Sequence, residues 1–257
     1  ITSGGLAIKS ATPQGNLKIV GGYQQYGSGR PVGWWKMDEG SWNGTAGEVK
    51  DSIGTNNGTS TNGANTTSTA VFGRAGSFDG VNDYVATTLN VAGYTGLTAS
   101  GWFYQPYTAY TTFLGTYTSG ADMAFNVDLV GSTKTMKFNM KGENGGFSEL
   151  TMANAYSLNQ WVHITATWDG STMLIYVNGK QIASKANVDT SLEQTVSKPL
   201  TIGAYQPGVA QNFGGKIDDV RIYNYALTAD QIRQIYNETA KLKVVNQENT
   251  TSTSNNP

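Results

Sequence analysis

The sequence predicts an all-β protein, folded as a two-sheet antiparallel sandwich with one short C-terminal helix. The 257-residue chain contains 32 glycines and 11% aromatic residues, a composition suited to many short strands joined by turns. Between residues 31 and 227, short runs of alternating apolar and polar residues are separated by clusters of Gly, Asn, Asp and Ser. Regular strand spacing of this kind is typical of a sandwich. A chain of this length buries a substantial core without disulfides or metals.

The clearest hairpin lies in the second half of the chain. Trp161–Trp168 (WVHITATW) alternates strictly, so its apolar residues share one face while His163 and two threonines share the other. Asp169-Gly170 then predicts a turn, and Met173–Val177 supplies the partner strand. Asn178-Gly179 predicts a second tight turn, because both residues tolerate a positive φ. Mid-strand, His163 is interpreted as a hydrogen-bonded structural residue.

One helix is predicted near the C-terminus, from Thr228 to about residue 242. Thr228 and Gln231 form a capping box, in which the hydroxyl accepts from the third helical N–H and the glutamine reaches back. The apolar residues that follow, beginning with Ile232 and Ile235, recur at the three- and four-residue spacing of an amphipathic helix. We expect this helix to pack against the edge of the sandwich.

Three regions are expected along the chain. Residues 1–30 form a Gly-rich N-terminal extension that contains one strand-like stretch, Leu17–Tyr26. Residues 31–240 form the sandwich, and residues 241–257 have the composition of a polar tail. Leu17–Tyr26 is a candidate assembly strand, which would add to the sheet edge of another copy of the chain.

Charge and cysteine content narrow the possible partners. A net charge of −1, with only 14% charged residues, gives no electrostatic footprint for nucleic acid or an anionic membrane. The chain has no cysteine, which excludes disulfides and thiolate chemistry. No apolar run approaches the roughly 18 residues needed to span a bilayer, so no membrane insertion is expected. The first residue, Ile1, fits a processed or partial chain.

Four segments in order resemble the laminin-G-like family of bacterial cell-surface proteins, within the concanavalin A-like lectin/glucanase superfamily. They are Val32–Gly40, Ser77–Val85, Trp161–Gly179 and Phe213–Leu227. The resemblance covers about residues 31–240. It implies a jelly-roll sandwich of two curved antiparallel sheets whose rim loops form the ligand surface, in an extracellular or cell-surface protein. It does not supply a function, because this fold hosts lectins, glycanases, adhesion domains and spacers.

The sequence lacks the acidic motif of the glycanases that share this fold. Those enzymes carry Glu-x-Asp-x-x-Glu on one strand, since alternate residues of a strand project from the same face. Here the nearest acidic pairs, Asp218-Asp219 and Asp38-Glu39, are adjacent, so their side chains are expected on opposite faces. The chain is therefore predicted not to be an enzyme, although pairing between distant carboxylates stays open.

Calcium is the expected cofactor. The resemblance implies a calcium site near the sandwich rim, for which the candidates are Asp79, Asp83 and Asp218. Asp218 is expected on the face that it shares with Val220, where an inward carboxylate needs a compensating cation or N–H donors. In the alternative interpretation, Asp79 caps its own Asp-Gly turn and Asp218 accepts hydrogen bonds from the backbone.

Glycan binding needs exposed aromatic rings with amide and carboxylate groups nearby. The candidate rings in predicted loops are Trp42, Tyr107, Tyr110, Phe147 and Tyr205. The alternative for each ring is a place in the core.

Two functions follow from these features, and a third is weaker. The first is a non-catalytic extracellular binding module for a carbohydrate or matrix ligand, with calcium support, as in cell-surface adhesion. The second is a structural subunit of an extracellular filament or surface layer, assembled with copies of itself through residues 1–30. The weakest is a glycan-active enzyme.

Overall fold

The computed structural model describes residues 29–116, 123–186, 191–192, 199–205 and 211–238. The chain divides into residues 1–30 and 31–257. Leu17–Tyr26 and residues 241–257 lie outside the described residues, so the assembly strand and the polar tail remain predictions.

The described residues form strands throughout the sandwich region. Their bounds are β1 (Gly33–Trp35), β2 (Gly58–Thr61), β3 (Asn65–Thr67), β4 (Ala75–Asp79), β5 (Tyr84–Asn90), β6 (Leu97–Tyr104), β7 (Tyr110–Gly115), β8 (Phe125–Val130), β9 (Thr135–Lys141), β10 (Phe147–Met152), β11 (Trp161–Trp168), β12 (Thr172–Val177), β13 (Lys180–Ala186), β14 (Pro199–Ile202) and β15 (Gly214–Tyr223).

These strands build two antiparallel sheets. Sheet A has the order β13-β12-β11-β6-β15-β4-β3, and β1 also pairs with β15. Sheet B has the order β10-β9-β8-β7-β14-β5-β2. Neighbours within each sheet are frequently distant in the sequence, as expected when a chain crosses between two sheets. The predicted two-sheet jelly-roll sandwich is confirmed.

The core lies between the sheets. Each strand directs alternate side chains inward, and the inward residues of both sheets merge into one apolar cluster. The face of each sheet that is turned away from this core is called its outer face below. The largest fully buried core side chains include Trp35, Met37, Phe103, Phe113, Phe125, Phe138, Trp168 and Phe213.

The predicted hairpin is present with its turns. Strand β11 spans Trp161–Trp168 as expected, and β12 pairs with it in antiparallel register. At the β12–β13 turn Asn178 has a φ of 49° and Gly179 a φ of 76°. Positive φ at both central residues is the requirement of the type I′ turn that the Asn-Gly pair predicted.

The predicted helix, α1, covers residues 229–238 of the described chain. Both bonds of the capping box form: Thr228 N–H donates to Gln231 Oε1 at 2.8 Å, and Gln231 N–H donates to Thr228 Oγ1 at 3.3 Å. Ile232 and Ile235 pack in a second apolar cluster with Tyr176 and other side chains of sheet A. The described chain contains no helix long and apolar enough to cross a membrane.

His163 lies beneath α1 on the outer face of sheet A. It is 1% exposed, and its Nε2 lies 3.2 Å from Ser100 Oγ. The rings of Trp102 and Tyr236 contact its imidazole, with centroids at 5.1 and 5.8 Å. Burial and the charge of Arg221 lower its pKa to about 3. These contacts agree with a structural histidine.

A β-bulge in β15 corrects the predicted orientation of Asp218. The register with β6 shifts between Asp218 and Arg221, and Asp219 has a φ of 52°. Asp218 is paired with Trp102, on the outer face, whereas Val220 belongs to the core. The expectation that Asp218 and Val220 share a face is therefore wrong, because the extra residue reverses the alternation.

The first prediction concerns the contact between the β12–β13 turn and α1. A Cβ at Gly179 would lie 3.1 Å from Tyr236 Cδ1, in addition to the strain of a φ of +76°. Gly179→Ala should therefore lower the free energy of unfolding by roughly 2–4 kcal/mol, the sum of left-handed strain and overpacking. Urea denaturation measures this loss.

Gly145 provides the matched control, because its φ is +78° and a Cβ there would meet nothing within 4 Å. Gly145→Ala should lower the free energy of unfolding only by the backbone strain, about 1–2 kcal/mol. In a Tyr236→Ala background the cost of Gly179→Ala should fall to that of Gly145→Ala. Equal costs for the two glycines in the otherwise unchanged protein would contradict the packing argument.

The second prediction concerns pH. Unfolded His163 takes up a proton below about pH 6.5, whereas the folded residue stays neutral down to about pH 3. Titration of His163 therefore leaves the free energy of unfolding unchanged above about pH 6.5. As the pH falls from 6.5 toward 3, the unfolded state binds a proton that the folded state does not, and the free energy of unfolding falls by at most about 1.4 kcal/mol per pH unit.

His163→Gln keeps a hydrogen-bonding group for Ser100 but does not titrate. As the pH falls from 6.5 to 3, the unchanged protein should therefore lose stability relative to His163→Gln. The titration of the carboxylates is common to both proteins and cancels in the difference between their free energies of unfolding. A difference that is constant across this range would show that His163 does not carry the predicted shift.

Candidate ligand-binding face of sheet B

Polar side chains form two rows across the outer face of sheet B. On β8 the alternate residues Asn126 and Asp128 point away from the core, and on β9 Lys137 and Asn139 do so. Asn126 is paired with Asn139, and Asn139 with Glu149 on β10. The second row contains Thr112, Asp128, Lys137 and Thr151.

Asp128 is the centre of this polar cluster and is 1% exposed. Its Oδ1 accepts from Thr112 Oγ1 at 2.7 Å. Its Oδ2 accepts from the Tyr110 hydroxyl at 2.9 Å, from Asn126 Nδ2 at 2.5 Å and from Asn139 Nδ2 at 2.9 Å. Burial raises the pKa of Asp128, and the hydrogen bonds that it accepts act in the opposite direction.

These bonds leave two buried acceptors unused. Because both amide nitrogens donate to Asp128, the oxygens of Asn126 and Asn139 are the free ends of those side chains. Each Oδ1 is buried and has no hydrogen-bond partner among the described residues. Paired residues on neighbouring strands have Cβ atoms about 4.5–5.5 Å apart, so the two oxygens belong to one small patch. Unsatisfied buried acceptors are costly and are uncommon in folded proteins.

Charged groups lie beside this patch. Lys137 Nζ contacts Glu149 Oε2 at 3.0 Å and lies 5.9 Å from the centroid of the Tyr110 ring. Burial acts to raise the pKa of Glu149, but the hydrogen bonds from Lys137 and Thr151 and the lysine charges together outweigh it, so the pKa is lowered. Burial and the carboxylate of Asp128 raise the pKa of Tyr110, so its hydroxyl remains a donor.

Three of the predicted aromatic residues border the cluster. Tyr110 is 43% exposed and binds Asp128 directly. Phe147 is 62% exposed on β10, on the same face as Glu149. Tyr205 follows β14 and lies beside β7. A Cβ added at Gly115 of β7 would be 3.5 Å from the Cα of Tyr205. The outer face of sheet B therefore combines hydrogen-bond acceptors with accessible rings.

Tyr107 lies on the β6–β7 loop at the rim of the sandwich. It is 55% exposed, and its ring packs against Gly214, where a Cβ would lie 2.8 Å from Tyr107 Cδ2. Gly214 is thus needed for this close approach. Tyr107 supplies an accessible ring at the rim, as expected for a ligand surface formed by loops.

Trp42 does not provide the exposed ring that was expected. It is 3% exposed and belongs to the core. Its Nε1 donates to Glu39 Oε2 at 3.0 Å, and its ring packs against Gly76, where a Cβ would lie 3.1 Å from the indole. The reason is that a glycine in β4 leaves room for the indole, so a loop tryptophan becomes part of the core.

Two of the predicted metal ligands are neighbours at the β4–β5 turn. Asp79 Oδ1 accepts from the backbone N–H groups of Val81 and Asn82, at 2.7 and 3.3 Å, which is the turn-capping alternative. Asp83 Oδ2 accepts from Asp79 N–H at 3.0 Å. The Oδ1 of Asp83 is buried without a partner among the described residues, and burial raises the pKa of Asp83.

Asp218, the third predicted ligand, is fully buried. Its Oδ2 accepts from Val71 N–H at 2.9 Å and from Phe72 N–H at 3.0 Å. Its Oδ1 has no partner in the described part of the chain. Burial raises its pKa to about 8, and Asp219 and Asp38 add repulsion.

The three acidic residues do not form a single site. Asp79 is paired with Gly214, which precedes Asp218 by four residues on β15, a separation of about 13 Å along a strand. No group of three His, Cys, Asp or Glu residues suited to a metal ion occurs among the described residues. Strand register thus separates Asp218 from Asp79 and Asp83, so the three predicted calcium ligands remain candidates at two separate positions.

The sequence contains a signal for the Asp128 cluster. Asn126 and Asp128 alternate in FNVDLV, and Lys137 and Asn139 alternate in MKFNMK. Two successive strands with polar residues at alternate positions indicate a shared polar face. What the sequence does not contain is the register that pairs Asn126 with Asn139.

Comparisons with known proteins agree with this architecture. The laminin G family model described as "Concanavalin A-like lectin/glucanases superfamily" matches residues 79–233. Pappalysin-1 of Mus musculus is 34% identical over 82 residues, which cover 30% of this chain and 5% of that protein. Adhesion G-protein coupled receptor V1 of Danio rerio is 27% identical over 107 residues, or 41% of this chain and 2% of that protein. The chain thus spans only a small part of these relatives.

Several solved structures share the fold. Domain 4 of AbnA, a GH43 extracellular arabinanase from Geobacillus stearothermophilus, in complex with arabinotriose, has a TM-score of 0.61 at 19% identity, covering 81% of this chain and 98% of that one. The binding domain of botulinum neurotoxin DC, in complex with SialylT, has a TM-score of 0.59 at 16% identity, covering 77% and 50%.

The fold and the family therefore agree. The sheet order is that of a jelly roll, in agreement with the four ordered segments at residues 32–40, 77–85, 161–179 and 213–227. The family model covers more than half of the chain. This chain belongs to the concanavalin A-like lectin/glucanase superfamily, in its laminin-G-like branch.

Proposed function

We propose that this protein is a non-catalytic carbohydrate-binding module that binds its glycan on the outer face of sheet B. The observation that carries the proposal is the pair of oxygens on Asn126 and Asn139 that lack a partner among the described residues, next to the exposed rings of Tyr110 and Phe147. A buried acceptor without a donor is stabilised by a ligand that brings hydroxyl groups.

The chemistry of this face suits a sugar. Hydroxyl groups of a glycan would donate to the oxygens of Asn126 and Asn139, which Asp128 holds in place through their amide nitrogens. The C–H face of a sugar ring packs on an aromatic ring, as Tyr110 and Phe147 offer. Lys137 and Glu149, paired at 3.0 Å, supply one donor group and one acceptor group beside them.

The comparisons support binding as the general activity. One similar structure is a domain of an extracellular arabinanase in complex with arabinotriose, and another is a toxin binding domain in complex with SialylT. An adhesion receptor is among the curated relatives. We therefore propose an extracellular or cell-surface location, with a glycan or a matrix glycoconjugate as the partner in adhesion.

The third prediction tests the aromatic contribution. Phe147→Ala and Tyr110→Ala should each weaken glycan binding by roughly threefold to tenfold, the value of one aromatic contact. Tyr110→Phe keeps the ring and should bind nearly as well as the unchanged protein. Isothermal titration calorimetry with a hit from an array that includes arabino-oligosaccharides and sialylated glycans measures the affinities.

Ile53→Ala is the matched control, because Ile53 is 39% exposed and is not part of this face. It should leave the affinity unchanged. Absence of any glycan hit, or affinities that are unchanged in both alanine variants, would refute the proposed site. Release of shorter oligosaccharides during incubation would refute the non-catalytic assignment.

We further propose that calcium supports the fold through Asp218 or through the Asp79–Asp83 turn. Both Asp218 and Asp83 carry a buried oxygen without a partner among the described residues. A buried carboxylate whose second oxygen lacks a donor is stabilised by a cation. The two positions are separate, so each is tested on its own.

The fourth prediction is a rise in melting temperature of about 5 °C or more in millimolar calcium relative to EGTA. Differential scanning calorimetry measures it, and magnesium should have a smaller effect because it requires stricter octahedral coordination. Asp218→Asn should abolish the rise if Asp218 binds the ion, and Asp83→Asn if the turn does. Equal melting temperatures in calcium and EGTA would eliminate calcium support.

A further inference from the structure

A cavity opens on the outer face of sheet A, between the β12–β13 turn and helix α1. It has a volume of about 400 Å³ and is lined by side chains from both elements, including Tyr176, Asn178, Lys180, Gln181, Arg233 and Tyr236. Cavities of roughly 300–1,000 Å³ hold small ligands. It lies on the opposite sheet from the Asp128 cluster and shares no residue with it.

The walls of this cavity are fixed by packing. The type I′ turn holds Asn178 and Gly179 in left-handed conformations. The ring of Tyr236 lies on Gly179, where a Cβ would meet it at 3.1 Å. On the other side, the same ring contacts Trp102 at a centroid distance of 5.7 Å. Turn and helix therefore form one preorganised wall, which lowers the cost of binding.

Two polar groups in the cavity have no hydrogen-bond partner among the residues that the structure describes. Tyr176 is 3% exposed, and its hydroxyl makes no hydrogen bond within the described part of the chain. Burial raises its pKa, so the hydroxyl stays protonated. Asn178 Oδ1 accepts from His163 N–H at 3.0 Å, which leaves the NH₂ group of Asn178 without a partner among the described residues. A hydroxyl and an amide that line a cavity and have no partner within the described residues are available to hydrogen-bond a ligand.

The charge of the cavity is positive. Lys180 and Arg233 line it, and no acidic residue of the described chain does. Arg233 Nη2 is paired with the exposed carboxylate of Asp230, one turn earlier on α1, whereas Lys180 has no ion pair in the described part of the chain. Surface ion pairs of this kind contribute little, so a ligand carboxylate competes for the arginine at low cost.

We infer that this cavity binds a carboxylate-bearing sugar unit, of the uronic acid class. Lys180 and Arg233 would bind the carboxylate, since charge-assisted bonds are the strongest available there. The amides of Asn178 and Gln181 and the hydroxyl of Tyr176 would bind the sugar hydroxyl groups. The site is independent of the proposed function, because it is on the other sheet and selects for charge.

The fifth prediction uses trigalacturonic acid and galactotriose as probes, at physiological ionic strength. Trigalacturonic acid should bind at least about tenfold more tightly than galactotriose, as expected for a carboxylate recognised by charge-assisted bonds. Arg233→Gln and Lys180→Gln should each reduce this affinity by about threefold or more, and together by about tenfold. Calorimetry gives the affinities, and thermal unfolding checks that the exposed substitutions leave the fold intact.

Lys50→Gln is the matched control, because it removes the same charge from an exposed lysine outside the cavity. It should leave binding unchanged. Asp230→Asn should tighten binding by about two- to threefold, since it releases Arg233 from its ion pair. Phe147→Ala should have no effect, which separates this site from the glycan face of sheet B.

Four outcomes would overturn the inference. The first two are no binding of trigalacturonic acid and equal binding of galactotriose. The third is a loss in Lys50→Gln as large as in Lys180→Gln and Arg233→Gln, which would mean that the acidic sugar responds only to the net charge of the protein. The fourth is loss of binding in Phe147→Ala alone, which would assign the acidic sugar to sheet B.

Discussion

Pairing of β15 with its neighbours is the constraint on which the sandwich depends. This closing strand pairs with β6 and β4, and beyond the bulge it also pairs with β1. Segments from both ends of the described chain are thereby joined at the centre of sheet A. The bulge at Asp218 and Asp219 resets the alternation, so that Ile217 before it and Val220 after it both reach the core. Without the extra residue, one of these two side chains would face away from the core.

The same bulge explains why carboxylates are buried on the outer face of sheet A. Asp218 accepts two backbone N–H groups, and Asp219 accepts from Trp34 Nε1 at 2.5 Å and pairs with Arg221 at 3.0 Å. Burying a carboxylate is costly unless donors compensate it. Asp218 Oδ1 and Asp219 Oδ2 both lack a hydrogen-bond partner among the described residues, but Asp219 Oδ2 lies 3.0 Å from the charged Arg221 Nη2. This difference is the physical basis for the calcium proposal.

Local patterns were enough to predict the elements, but not the sites. The β11–β12 hairpin, the Asn178-Gly179 turn and the Thr228–Gln231 capping box each depend on residues within a few positions, and all three were predicted correctly. The partners of Asp218 are 146 and 147 residues away, and the burial of Trp42 depends on Gly76 in another strand. Register between strands distant in sequence decides such features, and no local period encodes it.

The hydrogen bonds around Asp128 determine which polar groups the outer face of sheet B offers. A carboxylate on an exposed sheet would attract cations, yet Asp128 is surrounded by the donors of Thr112, Tyr110, Asn126 and Asn139. Its charge is compensated inside the protein, and the groups beside it are two neutral amide oxygens and the Lys137–Glu149 ion pair. Across the sandwich, the cavity beside α1 is lined by two cationic side chains and by no acidic residue of the described chain. A single sandwich thus presents a hydrogen-bonding face on sheet B and a cationic cavity on sheet A. In the two proposed sites, neutral sugar units would bind through hydrogen bonds and aromatic contacts, and acidic units through charge-assisted bonds.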